Sequence, residues 1–221
     1  MLTLLLVGCA ASEADNPSQI RSSRLIDATT DTQQIDTVDA SSLNFSIEDV
    51  DIRIQRPKDW EYHTTDYGVV LIESIDTVAT EGMLSGLITH VFIPPLGDLS
   101  LNIAEGRNTA LQMLEDITRT EDLMNNAATT QPTPLMWSGL DAAYFLMNNG
   151  EGSATLVIGL TPPGDRHLIT VQISAPLKDA DRIRENLPTL MQNLSVNGIL
   201  LDHTELQALP DSLVFPTFQT D

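Results

Sequence analysis

Three strand-length apolar runs follow one another at 139–147, 154–160 and 167–175, separated by Asn148-Asn149-Gly150-Glu151-Gly152 and Thr161-Pro162-Pro163-Gly164-Asp165. The separators hold the residues that turn a chain, glycine for left-handed conformations and proline for a fixed φ. In the third run Ile169, Val171 and Ile173 alternate with Thr170, Gln172 and Ser174. Side chains on a strand alternate between faces, so this segment buries one face and wets the other. The three runs read as an antiparallel meander, against which the other segments must pack.

Two segments carry helical spacing. Ile183, Leu187, Leu190, Met191 and Leu194, within an expected helix over 179–193, form a stripe that must face the sheet, and Pro188 is expected to kink or restart that helix. Ala110, Leu111, Leu114 and Ile117 define a second helix over 108–124, with Arg107, Glu115, Arg119 and Glu121 available to solvent and a polar loop running on to Pro134. Upstream, Phe45 and Ile47 share one alternation while Val50, Ile52 and Ile54 share another, slipped by one residue across Glu48-Asp49. The slip predicts a bulge or tight turn between two short strands. In Arg56-Pro57-Lys58-Asp59-Trp60 the proline ends the strand and the tryptophan returns to the core. Strands are expected over 68–75 and 86–93, the second closed by Pro94-Pro95. After Gly198 no period is evident, and 199–221 is left as a C-terminal tail.

With 221 residues the chain suits one core of ordinary size, and 42% apolar residues suffice to fill it. Thirty-one acidic against eleven basic side chains give a formal charge of −20. Such a field repels nucleic acid and excludes it as an expected partner. The one cysteine, Cys9, leaves no intramolecular disulfide.

Met1 begins a short apolar run that ends in Leu6-Val7-Gly8-Cys9-Ala10-Ala11, shorter than the ~20 residues a spanning helix needs. Leu6-Val7-Gly8-Cys9 resembles the bacterial lipobox, although no Lys or Arg precedes the run. That resemblance implies diacylglyceryl attachment at the Cys9 thiol, removal of the preceding peptide and an extracytoplasmic place in a bacterial cell envelope. Two or more acyl chains hold a protein on a membrane durably without a transmembrane segment. The expected organisation is therefore a lipoprotein signal segment at 1–9, a flexible tether at 10–43, a folded domain at 44–198 and the tail at 199–221. The tether is rich in Ser, Thr, Asp and Gln, too poor in apolar residues to offset the entropy of ordering.

The order of hairpin, Pro57-x-x-Trp60, two strands, helix, meander opened by Ser138-Gly139-Leu140 and closing helix ending in Asn193-Leu194-Ser195 resembles the Mog1/PsbP-like family. The bacterial lipoprotein branch of the DcrB/LpqN type is the nearest in kind, and the resemblance covers residues 45–196 or so. It implies an α+β fold, an α/β/α sandwich with a mainly antiparallel sheet. It also implies an accessory or binding role: photosystem II assembly in the plant and cyanobacterial members, a small-GTPase partner in the eukaryotic branch, envelope roles in the lipoproteins. No catalytic or cofactor residue is shared across that family.

The residues themselves carry no evident chemistry. Gly-x-Ser-x-Gly, His-Glu-x-x-His, Walker and dinucleotide glycine patterns are missing. His63, His90, His167 and His203 fall on different elements, and a strand histidine such as His90 or His167 reads as structural. Asp49, Asp51, Glu115, Asp116, Glu121 and Asp122 read as solvated charges, because Ca²⁺ needs about six or more converging oxygens. Trp60 and Trp137 read as core and flank packing, and Met113, Met124, Met136, Met147 and Met191 as core filler. No catalytic, metal or cofactor residue is expected, and Cys9 is the one modification site. The expected function is a non-catalytic, lipid-anchored binding or assembly-factor module with a protein or peptide partner. The alternative is a surface enzyme or cation-dependent protein whose site is assembled from residues distant in sequence.

Overall fold

The computed structural model describes residues 42–47, 49–74, 77, 84–95, 104, 106–162 and 167–218. The chain is α+β, built on two antiparallel sheets. β1 (Ser42–Ile47) and β2 (Val50–Gln55) form a hairpin in which Ile47 faces Val50. The slip seen in the sequence is thus a two-residue turn, with Asp49 in the left-handed region at φ 67°. Trp60 donates its backbone N–H to the Pro57 carbonyl at 3.2 Å, closing the turn that brings its ring against the core.

Among the described residues the larger sheet holds eight strands. β3 (Glu61–Thr65), β4 (Gly68–Ile72) and β5 (Ile88–Phe92) lead into the meander of β8 (Leu140–Asn148), β9 (Ser153–Thr161) and β10 (Ile169–Pro176), which the sequence predicts closely. The order across the sheet is β3-β4-β5-β10-β9-β8. Beyond β8 lie β6 (Ala128–Thr129) and β7 (Thr133–Trp137), both paired to it. The expected polar loop up to Pro134 therefore contains strand at 128–129 and at 133–134. Pro134 is tolerated there because β7 pairs only with β8 among the described strands, so its missing N–H costs no ladder bond on a second side.

Alternation divides the sheet into two faces. Ala143, Phe145, Met147 and Val157 point to the side covered by α1 (Thr109–Thr118). Ala142, Leu146, Leu156, Ile158, Val171 and Ile173 point to the other, where α3 (Asp181–Met191) packs through Ile183, Leu187, Leu190 and Met191. Helix, sheet and helix make three layers. Gly159 allows the close approach of α1, since a Cβ there would lie 3.1 Å from the Leu114 side chain. Asn108 sets the start of α1: its Oδ1 accepts from the Leu111 N–H at 2.8 Å and its Nδ2 donates to the Ala142 carbonyl at 2.8 Å.

The first helix differs from the expectation. The continuous helix over 108–124 breaks at Thr120, whose backbone is extended and whose Oγ1 donates to the Ile117 carbonyl at 2.8 Å, and α2 (Glu121–Asn126) starts beyond it. Conversely, α3 runs unbroken through Pro188 instead of restarting. Its buried stripe continues on both sides of the proline, and packing on the sheet outweighs the missing hydrogen bond.

The smaller sheet has the order β1-β2-β11-β12, where β11 (Ser195–Val196) and β12 (Ile199–Leu200) are joined at Asn197-Gly198. Both turn residues have positive φ, 49° and 77°, as a type I′ hairpin requires. Leu43, Phe45, Ile52, Ile54 and Val196 bury the inner face of this sheet in the same core as α3. Residues left unplaced by sequence complete that core. A 3-10 segment, His203–Ala208, and the extended chain after it contribute Leu206, Leu209 and Leu213, joined by Leu201 just before it. Trp137, fully buried, donates Nε1–H to the Asp202 carbonyl at 3.0 Å, and the Asp202 N–H donates to Ser138 Oγ at 2.7 Å.

Gly68 tests the tightest strand pairing. A Cβ at this position would lie 2.1 Å from the Val91 carbonyl oxygen and 2.6 Å from the Phe92 Cα, and backbone atoms cannot turn aside. Gly68→Ala should destabilise the fold by about 1–3 kcal/mol, visible as a lower thermal midpoint. An unchanged midpoint would mean that β4 and β5 separate more easily than this geometry allows.

Candidate binding groove

Leu43, Phe45 and Ile47 turn inward on β1, so Asn44 and Ser46 turn outward; Val50, Ile52 and Ile54 likewise leave Asp51 and Arg53 outside. Register then places Asn44 opposite Arg53, Arg53 opposite Ser195, and Ser195 opposite Leu200. One row of side chains crosses all four strands. Around it opens a groove of about 690 Å³, with Asn193 and Gly198 also in its lining. That volume falls within the range of ligand sites, roughly 300–1,000 Å³.

The groove is polar along most of its floor and apolar at one end. Ser46 Oγ donates to Asp51 Oδ1 at 2.5 Å, and the Asp51 N–H donates to Asn197 Oδ1 at 2.9 Å. The second bond ties the β11–β12 turn to β2 and holds Leu200 in place. Arg53 donates Nε–H to Ser42 Oγ at 2.8 Å. Among the described residues Arg53 forms no ion pair, in a chain where acids outnumber bases by 31 to 11. Asn193 donates Nδ2–H to Gln55 Oε1 at the rim. Leu200 is 62% exposed and forms the apolar end of the row.

The larger sheet holds a second unusual position. His90 on β5 is buried, with its ring stacked on Phe92 at a centroid distance of 4.1 Å. Its Nε2 has no hydrogen-bond partner among the described residues, and neither do the hydroxyls of Thr89 and Thr170. Burial holds the imidazole neutral and pushes its pKa down to about 4. Elsewhere, burial acts to raise the Glu73 pKa but is outweighed by hydrogen bonds from Arg182, at 2.5 Å, and from the Leu87 N–H, and by the Arg182 charge. That pair joins the end of β4 to α3. At the exposed Asp202, hydrogen bonds from Thr204 hold the carboxyl below its ordinary value.

The structure sorts the residues singled out by sequence. Cys9, the signal segment and the tether up to residue 41 lie outside the described residues. Trp137 is core and Trp60 packs partly against it. Met113, Met147 and Met191 are core, but Met124 and Met136 are 64% and 57% exposed. Met124 lies on α2 with Leu123 as the buried residue, and Met136 alternates with the buried Leu135 and Trp137, so period and not residue type decides both. Glu115 and Asp116 approach Arg119 at 3.9 and 3.7 Å. Among the described residues no three His, Cys, Asp or Glu side chains come together as a metal site requires, and no helix is long and apolar enough to cross a membrane. Sequence reasoning missed the groove, although Asn197-Gly198 between two short apolar pairs is a hairpin signal that could have located half of it.

The two-sheet α+β architecture defines a structural class rather than an activity. No family model and no curated protein matches the chain. Among solved structures it is similar to a point mutant of the protein Mog1, at 15% identity and a TM-score of 0.35 over 61% of this chain and 77% of that one.

Proposed function

We propose that this protein is a non-catalytic binding module of the Mog1/PsbP-like lipoprotein type, held in a bacterial cell envelope by acylation at Cys9 and recognising a protein or peptide partner. The observation that carries the reading is the groove over the outer face of the smaller sheet. Its lining offers amide, hydroxyl, guanidinium and carboxylate groups beside an apolar patch, the mixture by which a binding surface orients a partner. The lipobox-like Leu6-Val7-Gly8-Cys9 supports the anchor, and the element order supports the type. The tether would meet the domain at Ser42, the first residue of β1, beside the groove.

Two measurements test the two halves of the proposal. Intact mass and membrane fractionation of the natively expressed protein beside Cys9→Ser should show an acylated, sedimenting wild type and a soluble mutant; two soluble, unmodified proteins would end the anchor reading. A photocrosslinking side chain at Ser195 should capture envelope components that one at Glu151, on the β8–β9 turn, does not. Equal labelling from both positions would remove the groove as the binding surface.

A further inference from the structure

We infer that the groove recognises a carboxylate joined to an apolar chain, with Arg53 as the carboxylate-binding residue, and we commit to the C-terminal carboxylate of an extended peptide as its source. The inference rests on the binding-module reading and names the ligand chemistry of that same groove.

Arg53 is the starting point. Its guanidinium offers a planar fork of donors suited to two carboxylate oxygens, and among the described residues only Nε is engaged, by Ser42 Oγ. An arginine with no ion pair to any described residue is unexpected in a chain of net charge −20, where carboxylates are plentiful. It lines the groove opposite Asn44 on β1 and Ser195 on β11, and the Ser195 hydroxyl supplies a further polar contact for the same group.

Leu200 fixes the other end. It lies two strands from Arg53 in the same cross-strand row, which at about 4.8 Å per strand is roughly 10 Å away. An extended peptide advances about 3.3 Å per residue, so a terminal carboxylate on Arg53 places an apolar side chain two or three residues upstream against Leu200. Asp51, next along β2 on the same face, favours a neutral or basic residue beside it and disfavours an acidic one. A peptide with one carboxylate also meets less repulsion from the protein's field than a polyanion would.

The test uses fluorescence anisotropy with a labelled pentapeptide that carries leucine two positions before a free C-terminus, its C-terminally amidated twin, and octanoate as competitor, on the full chain. The free acid should bind at least 10-fold more tightly than the amide. Arg53→Gln should abolish that difference while leaving the thermal midpoint close to wild type, and Arg53→Lys should restore part of it. Leu200→Ser should weaken acid and amide together. Octanoate displacing the peptide at comparable concentration would overturn the peptide source and assign the site to free aliphatic acids. Equal binding of acid and amide, both weakened by Leu200→Ser, would overturn the carboxylate inference and leave the groove as a binding surface. No binding of either peptide at millimolar concentration would also overturn the inference, and the Ser195 crosslinking result then decides the module reading by itself.

Discussion

Trp137→Ala should be among the most damaging single substitutions in this protein, lowering stability by about 3–5 kcal/mol in urea unfolding. The indole is fully buried at the junction of β7, β8 and the C-terminal segment, so its removal opens a large cavity. It also removes one of two donors to the Asp202 carbonyl, leaving the Glu205 N–H at 3.1 Å. That carbonyl begins the 3-10 segment, and Ser138 and Glu205 make the neighbouring contacts, the Ser138 N–H donating to Glu205 Oε2 at 2.5 Å. Loss of the anchor should therefore be felt locally as well as globally. Limited proteolysis should cut Trp137→Ala within residues 201–218 faster than the wild type. A loss near 1 kcal/mol, with no new cleavage there, would show that the C-terminal segment is held by its leucines alone.

Acid should weaken the fold well above the pH at which carboxylates titrate, and His90 should be the reason. Its folded pKa is depressed from 6.5 to about 4, because charging the buried imidazole costs solvation that no described neighbour replaces. Well above pH 6.5 both folded and unfolded chains hold it neutral and nothing changes. As pH falls below 6.5 the unfolded state takes up a proton that the native state refuses, and stability is lost until about pH 4. At about 1.36 kcal/mol per pH unit the full loss is about 3 kcal/mol, of which about 2 kcal/mol comes between pH ~6.5 and ~5. Glu73, with its pKa held below 4.5, contributes only at lower pH. Urea unfolding of wild type and His90→Leu at about pH 7.5 and about pH 5 separates the cause. The variant should match the wild type within about 1 kcal/mol at the higher pH, since an unpartnered Nε2 contributes no bond, and should lack most of the slope. The same slope in both proteins would place the acid sensitivity elsewhere.

How much of this was legible in the sequence depended on whether a segment had to bury a whole face. β8, β9 and β10 sit inside the sheet; the apolar runs of β8 and β9 stand out because most of both faces is covered, β10 shows through the alternation of Ile169, Val171 and Ile173, and the α3 stripe is read because one face must cover the sheet. β3 reads Glu-Tyr-His-Thr-Thr and lies at the sheet edge, where little apolar surface is required, so no period betrays it. β7 hides behind Pro134, and the break between α1 and α2 depends on the backbone at Thr120, not on any change in the apolar pattern. Residues 199–218 escaped because Leu201, Leu209 and Leu213 reach the core from irregular backbone and Leu206 from a six-residue 3-10 segment, too short to show a repeat. The groove was the least legible part. Its floor joins residue 44 to residue 200 through strand pairing, and no spacing along the chain encodes that adjacency.

The bond from Trp137 to Asp202 spans 65 residues, and Asn148 donates to the Pro216 carbonyl across 68. A chain emerging from the ribosome at its N-terminus first can assemble the meander early, yet the layer that closes over Trp137 arrives only with the leucines up to Leu213. Until then the inner surface of β7 and β8 is open to chaperones and to other nascent chains. For a polypeptide that, under the proposed anchor, is threaded through a translocation channel before it packs, this late closure favours an exportable state for as long as synthesis continues.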